Sequence, residues 1–424
     1  MTRSAARLAR VLALAASAAL VVARGPMLLT RPRFWAEEGF LHFAAAYCFA
    51  HTAAWYQSLL PTFQGYFTLW PNLAATVAAN LAPLERAPLV TTLFALAVQL
   101  APVAIILWSS SAFASPVRKV LGVACVLFAP LSGEVWLNTV TSQFHLALVT
   151  FLLILEESGR SRARRWLARS LLAIAGLTGP VSCFLTPLLV ARAASERTRE
   201  RFVQAGILAA CALAQLAVVA SSPTTPLLDR LRGFGAADLA AIAWLQSTSL
   251  VLSGLGGARA AAGLLGAARA AGWAAPLAWG LLIGEVALLW ALARPLPRAE
   301  RSVFLAGYGS LVVLSVLGAV DREASALVPG FGQRYFFAPN AILLLLLAAN
   351  VVRGGGRRLQ RAACAALLVV SLGFALHSWR RTLLATAAWP DWEGEVRAWR
   401  EDPAYELQVW PPDTWKVILR RCDA

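Results

Sequence analysis

Long apolar segments separated by arginine clusters are the feature of this sequence that most limits its possible folds. A helix needs about 20 apolar residues to cross the hydrocarbon core of a bilayer, and several segments approach that length. Hydrophobic residues occupy 59% of the 424 positions, and charged residues only 14%. Soluble domains contain about 25% charged residues, so a water-soluble fold would leave too much apolar surface exposed. The sequence therefore predicts an all-α polytopic membrane protein.

The positive charge is distributed as membrane topology requires. The formal net charge is +16, which would also suit a nucleic-acid-binding protein. Most arginines, however, lie in short clusters between apolar runs, where the cytoplasmic loops of membrane proteins carry them. We therefore expect the clusters to face the cytoplasm and the anionic headgroups of membrane lipid, and we expect no nucleic-acid partner.

Apolar runs and arginine clusters together predict a topology of about eleven transmembrane helices. The arginines at the start of the chain place the N-terminus in the cytoplasm, and an odd number of crossings then places the C-terminus outside. This is the topology of a multi-pass protein of the cell inner membrane. The predicted single spans are residues 8–29, 88–108, 117–131, 140–155, 202–220, 277–293, 302–320, 335–352 and 362–377.

Two further segments do not fit a single crossing. Residues 170–191 lie between two arginine clusters, so this segment enters and leaves as two half-spans that meet near Gly179 and Pro180. Non-helical backbone at that depth is tolerated only where it is buried in protein or lines a cavity, which here points to an internal cavity. Residues 221–276 form either an outer loop with interfacial or re-entrant helices, or an additional pair of spans.

The chain has two segments that we expect outside the membrane. Residues 30–85 are aromatic and partly apolar but contain no run long enough to cross, which predicts a long first outer loop with interfacial helices. Residues 1–377 then form the membrane domain, and residues 378–424 form a small outer cap rich in tryptophan, which favours the membrane surface.

The C-terminal cap has its own predicted elements. Asp391 is suited to cap a short helix that runs through Arg400, and residues 406–410 and 415–419 are suited to pair as strands.

Two cysteines fall in the predicted outer segments. Cys48 lies in the first outer loop and Cys422 in the cap, and the sequence leaves open whether they form a disulfide. The other four cysteines sit inside apolar runs, where they act as small buried residues.

An acidic pair follows the first predicted span. Glu37 and Glu38 lie at the outer surface beside Trp35 and His42. One carboxylate there can act as a general base on an acceptor hydroxyl, or both can hold a divalent cation that neutralises a phosphate. The alternative is a structural role, in which the pair is stabilised by a helix N-terminus.

A second polar group occupies the predicted outer loop at 132–138 and the start of the next span. Glu134, Asn138, Gln143 and His145 can face one cavity there and hydrogen-bond a sugar. Polar residues at such positions can instead form bonds between helices, and a single histidine is often structural.

A third group precedes the span at 335–352. Arg334 is our first candidate for bidentate binding of a phosphate, and Arg322 is the second. Either arginine can instead extend to the membrane surface or pair with Asp321 or Glu323. Tyr335 is either an anchor at the membrane interface or a platform for a sugar ring.

The whole pattern resembles the GT-C superfamily of integral membrane glycosyltransferases. The shared features are a cytoplasmic N-terminus, one span, an acidic pair in a long first outer loop, about ten further spans and a C-terminal outer portion. The resemblance implies that Glu37 or Glu38 is the catalytic base or a ligand of a divalent cation such as Mg²⁺ or Mn²⁺. It also implies a polyprenyl-phosphate sugar as donor, with Arg334 at its phosphate.

Two other functions stay open at this point. One is transport or flipping of a lipid-linked saccharide, and the other is a non-catalytic role in membrane assembly. A transporter would need polar residues near the middle of the membrane, where the predicted spans hold few besides Gln204, Gln215 and Glu285. If the protein is instead a glycosyltransferase, its acceptor is a glycan, a lipid or a protein, and the sequence leaves this choice open.

Overall fold

A computed structural model describes residues 3–130, 132–157, 161–222, 233–320, 327–352, 358–380, 391–411 and 414–422. The α-helices α1 to α17 are, in order, Arg3–Arg24, Met27–Thr30, Ala44–Phe49, Leu69–Leu81, Ala87–Trp108, Pro116–Leu127, Ser142–Leu155, Arg162–Leu177, Thr186–Glu196, Arg199–Ser221, Ala236–Trp244, Leu250–Ala270, Ala274–Ala293, Arg298–Ala319, Gln333–Val351, Arg358–Arg380 and Trp392–Glu401. Shorter 3-10 helices span Trp55–Leu59, Leu84–Arg86 and Val181–Leu185, and π-helical turns span Glu38–Phe43 and Leu245–Ser249. The strands β1 to β4 are Thr62–Phe63, Tyr66–Phe67, Leu407–Gln408 and Lys416–Val417.

The fold confirms an all-helical multi-pass membrane protein. Within the described residues, eight helices are long and apolar enough to cross a membrane. They are Ser4–Arg24, Leu84–Trp108, Arg199–Ser221, Ala236–Ala270, Ala274–Ala293, Arg298–Ala319, Gln333–Val351 and Arg358–Trp379. The helices Pro116–Leu127 and Ser142–Leu155 also match predicted spans but are shorter.

The first span ends earlier than the sequence pattern predicts. Helix α1 ends at Arg24 rather than near Leu29, and the separate short helix α2 follows. Proline has no backbone N–H and clashes with the preceding turn, so Pro26 stops the first helix although the apolar run continues.

The break predicted within residues 170–191 is present and separates two helices. Helix α8 ends at Leu177, and α9 begins at Thr186 after a 3-10 turn. Gly179 has φ +91°, which favours glycine, and its N–H donates to the carbonyl of Phe67 over 2.9 Å. The break is therefore buried against the first outer segment, which satisfies its backbone.

The ambiguous segment 221–276 is mostly helical where it is described. Helices α11 and α12 are joined by a π-helical turn, and together they form an apolar segment of 35 residues, Ala236–Ala270. Its backbone bends at Gly254, where φ is +65°. This length and composition favour membrane helices over a simple outer loop.

Two helices lie at the centre of the bundle. Nearly all residues of α7 and α15 are buried, and the two helices pack against each other. Their side chains form most of the principal core with residues from the surrounding helices. The loops at the ends of α7 and α15 are consequently held close together.

The segment 30–85, which is predicted to lie outside the membrane and is called the first outer segment, shares a second hydrophobic core with the C-terminal tail. Buried aromatic and aliphatic side chains of the segment, such as Phe34 and Phe43, pack against Trp392, Val396 and Leu407 of the tail. The predicted tail helix is confirmed as α17, although Asp391 makes no capping hydrogen bond. The predicted strand pair is confirmed as β3 and β4, which are antiparallel.

A disulfide joins the same two segments. Cys48 and Cys422 are bonded across 374 positions of sequence, which answers the question that the sequence left open. Arg400 forms an ion pair with Glu85 over 2.6 Å. The tail is thus attached to the first outer segment by covalent, apolar and ionic contacts.

Candidate functional site

Glu37 stands directly before the first π-helical turn, and the tail fixes its position. The N–H of Ala36 donates to the carbonyl of Trp410 over 2.6 Å, and the N–H of Trp410 donates to the carbonyl of Phe34 over 3.0 Å. The indole rings of Trp35 and Trp410 are 4.3 Å apart. These contacts hold the backbone before Glu37 and leave the Glu37 side chain partly exposed.

Glu38 has a different environment from its neighbour. It is buried, and one carboxylate oxygen accepts hydrogen bonds from the backbone N–H and the hydroxyl of Thr139. The other oxygen accepts from the N–H of Trp35 over 3.2 Å. Burial raises the pKa of Glu38, and these hydrogen bonds and nearby Arg33 partly oppose that rise. Glu38 thus ties the first outer segment to the loop at 132–141.

Arg334 and Glu134 meet near Glu37. Arg334 Nη1 lies 3.8 Å from Glu134 Oε2, and the guanidinium lies 5.1 Å from the centre of the Tyr335 ring. Arg334 also interacts electrostatically with Glu37. Its side chain is 43% exposed. Glu134 therefore lies within ion-pair distance of an accessible guanidinium that also interacts electrostatically with Glu37, and we take this arrangement as the candidate site.

Tyr66 belongs to the same site, although sequence reasoning missed it. Its hydroxyl accepts a hydrogen bond from Gln143 Nε2 over 3.3 Å. Burial raises the pKa of Tyr66 to about 12, with further contributions from Tyr335 and Glu37, while Gln143 and Arg334 lower it. The phenol therefore stays protonated and can donate a hydrogen bond to a ligand at neutral pH.

A sequence signal for Tyr66 does exist. Gln64 and Gly65 have φ values of +48° and +81°, and they join β1 to β2 as a tight hairpin turn. Gln-Gly between aromatic residues is compatible with such a turn, whereas the composition of the segment predicts interfacial helices. The hairpin points Tyr66 towards Gln143 of α7.

Two predicted site residues have structural partners. The Nδ1–H of His42 donates to Asn72 Oδ1 over 2.6 Å, and burial lowers the pKa of His42 to about 4. Asn138 Oδ1 accepts from the N–H and the hydroxyl of Thr141 over 3.0 and 2.7 Å. The hydrogen bonds of His42 and Asn138 therefore stabilise the segments around the site and do not involve Arg334.

Two more predicted residues lie apart from the ionic cluster. His145 Nε2 is 2.9 Å from the carbonyl of Val135, and its ring packs edge-on against Phe337. Trp35 packs on Trp410 as described above. Arg322, the second candidate for a phosphate contact, lies outside the described residues, as do Asp321 and Glu323.

The predicted divalent-cation site does not fit this geometry well. Both oxygens of Glu38 already accept hydrogen bonds, so Glu37 and Glu38 do not present two free carboxylates to one ion. Within the described part of the chain, no group of three His, Cys, Asp or Glu side chains is placed to hold a metal.

The sequence matches no protein-family model and no characterised protein.

Proposed function

We propose that the protein is a membrane glycosyltransferase of GT-C-like architecture. It transfers a sugar from a polyprenyl-phosphate donor to an acceptor hydroxyl on the extracytoplasmic face. The observation that carries this proposal is the ion pair between Glu134 and Arg334 at the start of an apolar helix, together with the electrostatic interaction of Arg334 with Glu37. A lipid-linked donor can reach such a site from the bilayer, while the acceptor arrives from water.

The residues have distinct chemical roles in this reaction. Glu37 accepts the proton of the acceptor hydroxyl, and the hydroxyl oxygen forms a bond to the anomeric carbon of the sugar. The bond between that carbon and the phosphate oxygen breaks, and its electron pair leaves with polyprenyl phosphate. Arg334 stabilises the charge of the departing phosphate by bidentate hydrogen bonds.

The neighbouring residues orient the two substrates. Tyr66 and Gln143 are linked by a hydrogen bond and supply donors for sugar hydroxyls. Glu134 keeps Arg334 positioned before the donor binds and yields when the phosphate arrives. Glu38 acts through the loop at 132–141, so its role is to position Glu134 and not to touch the substrates.

The distribution of basic residues supports the orientation. Lys119 interacts electrostatically with Arg10 and Arg164, so residues of three positive clusters meet at one end of the bundle. This is the end expected in the cytoplasm, with the N-terminus inside and the C-terminus outside. The full topology of about eleven crossings is part of this proposal.

Turnover by a Glu37→Gln variant tests the proposal. Purified protein in liposomes is supplied with a panel of polyprenyl-phosphate sugars, and release of polyprenyl phosphate is measured. We expect Glu37→Gln to lower turnover at least about 100-fold, as loss of a general base does, without lowering the melting temperature. The matched control is Glu406→Gln, an exposed carboxylate that pairs with Lys416 in the tail. Equal turnover in the wild type and Glu37→Gln would remove the catalytic role and favour a non-catalytic assembly protein.

A buried acidic residue supports transport of a lipid-linked saccharide as a second candidate function. Glu285 lies inside a candidate span, where it accepts hydrogen bonds from Tyr308 over 2.6 Å and from Ser247 over 3.2 Å. Ionisable residues at that depth often mark a transport route. Movement of a labelled lipid-linked sugar across liposomes without its cleavage would favour this function.

A further inference from the structure

Arg24 ends the first candidate span in an unusual environment. The residue is only 8% exposed, and its Nη1 donates to the hydroxyl of buried Ser132 over 2.8 Å. The guanidinium lies 4.1 Å from the ring centre of Trp136 and 5.6 Å from that of Trp379. A charged group is therefore enclosed between two indole rings and a hydroxyl.

No carboxylate of the described chain compensates this charge. The ion pairs of the described residues do not include Arg24, and its Nε is buried with no hydrogen-bond partner. Arginine keeps its proton in proteins, so the charge cannot be removed by titration. A buried cation without a counter-ion is unfavourable, and the weak attraction to two indole rings offsets only part of that cost.

The position of Arg24 defines which anion can reach it. Arg24 ends the candidate span Ser4–Arg24, and Trp379 ends the candidate span Arg358–Trp379. Both helices are mostly exposed on the outside of the bundle, where lipid surrounds them. Helix ends flanked by tryptophan lie at the level of lipid headgroups, and the planar guanidinium matches the oxygens of a phosphate.

We propose that Arg24 binds the phosphate of an anionic membrane phospholipid. The phosphate supplies the missing negative charge at the accessible edge of the guanidinium, while the acyl chains lie along α1 and α16. Arg24 contacts this loop at Ser132, two residues before Glu134, which pairs with Arg334. The inference does not depend on the proposed transferase activity.

Lipid binding to the delipidated full-length protein tests the proposal. Native mass spectrometry in a phosphate-free maltoside detergent compares phosphatidylglycerol with diacylglycerol of the same acyl chains. We expect the wild type to bind phosphatidylglycerol about tenfold more tightly, and Arg24→Gln to lose this preference. The matched control is Arg31→Gln, an exposed arginine seven positions further along the chain, which should keep the preference.

Thermal unfolding in the same detergent separates binding from a purely structural role. Without lipid, Arg24→Gln should melt no lower than the wild type, because the variant has no uncompensated charge. Phosphatidylglycerol should then raise the melting temperature of the wild type and of Arg31→Gln but not that of Arg24→Gln. A lower melting temperature of Arg24→Gln without lipid, with equal stabilisation of all three proteins by lipid, would show that Arg24 is structural.

Two further outcomes would also overturn the inference. If inorganic phosphate stabilised the wild type as much as phosphatidylglycerol does, the ligand of Arg24 would be a soluble anion and not a lipid. Equal binding of phosphatidylglycerol and diacylglycerol by the wild type would remove the phosphate contact. If Arg24→Gln does not fold, Arg24→Lys takes its place in the test. Lysine keeps the charge but not the planar guanidinium, so this variant should retain part of the preference for phosphatidylglycerol.

Discussion

Glu37 and Glu38 are adjacent in the chain, but their side chains meet different surroundings. Glu38 accepts three hydrogen bonds in a buried site, whereas Glu37 is partly exposed and interacts with Arg334. Consecutive side chains point in different directions. The side chain of Glu38 is directed into the protein, and that of Glu37 is directed towards the site. The general-base role therefore falls to Glu37 in the proposed mechanism.

His42 makes the stability of the first outer segment depend on pH. Asn72 Nδ2 donates to two backbone carbonyls, so its Oδ1 faces His42 and fixes Nδ1 as the protonated nitrogen. His42 Nε2 is buried without a partner, so a second proton there has no acceptor. Burial disfavours the charged imidazolium and lowers the pKa of His42 from 6.5 to about 4, and the hydrogen bond with Asn72 opposes this shift only in part.

We predict that the protein loses stability when the pH falls from 6.5 towards 4. In that range the unfolded chain binds a proton at His42 and the folded protein does not, so acid favours unfolding. The shift from 6.5 to about 4 corresponds to a loss of about 3 kcal/mol in the free energy of unfolding below pH 4. Melting temperatures at several pH values measure this loss.

Two variants make the pH prediction specific. His42→Asn keeps an N–H donor for Asn72 but cannot be protonated, so its stability should fall less between pH 6.5 and 4. His51→Asn is the control, because His51 is exposed and asparagine tolerates its φ of +62°. The same pH slope in His42→Asn and the wild type would contradict the prediction.

At the scale of elements, local sequence signals predicted several features correctly. The break between α8 and α9 follows from Gly179 and Pro180, which cannot continue a helix without cost. The short helix and strand pair of the tail follow from local spacing as well. The hairpin that carries Tyr66 was missed because its turn signal lies within a segment of strongly apolar and aromatic composition.

We predict that Gly179→Ala destabilises the protein and disturbs the candidate site. A Cβ at this position would overlap the side-chain amide of Gln143, and φ is +91°. The positive φ is strained for alanine and the amide of Gln143 would have to move, so we expect a loss of about 1–3 kcal/mol in the free energy of unfolding. Thermal unfolding measures the loss.

The matched control for this prediction is Gly206→Ala. Gly206 lies inside α10, and no atom lies within 4 Å of a Cβ placed there. Alanine favours helix over glycine, so this variant should be at least as stable as the wild type. Similar losses in both variants would show that glycine removal in general, and not the contact with Gln143, is responsible.

At the scale of the molecule, the protein has a membrane bundle and a separate outer core. The principal core is formed around the buried helices α7 and α15, whereas the second core joins residues of the first outer segment to the tail. The tail also provides the Trp410 backbone contacts that hold the residues before Glu37. The conformation of the proposed base thus depends on residues near the end of the chain.

We predict that the Cys48–Cys422 disulfide stabilises this outer core. The bond closes a loop of 374 positions, which restricts the unfolded chain strongly. Replacing both cysteines by serine should lower the free energy of unfolding by about 2–5 kcal/mol. Melting temperatures of the wild type and the double variant, each with and without reductant, measure this effect.

Reductant provides the internal control. It should lower the melting temperature of the wild type to that of the double variant and leave the double variant unchanged. The four other cysteines of the chain are free, so they should contribute no response to reductant. A wild type that is insensitive to reductant, under conditions that fully reduce the disulfide, would refute a stabilising role.

The sequence by itself determined the class of the protein, the approximate spans and the break at Gly179. These features depend on composition and on residues close together in the chain, because lipid selects apolar helices and local backbone chemistry ends them. The tertiary structure alone decided which carboxylate is exposed, how Trp410 reaches the residues before Glu37 and how Arg24 is enclosed. Those features are contacts between distant segments, such as Glu38 with Thr139 across 101 positions, and no local pattern encodes such pairings.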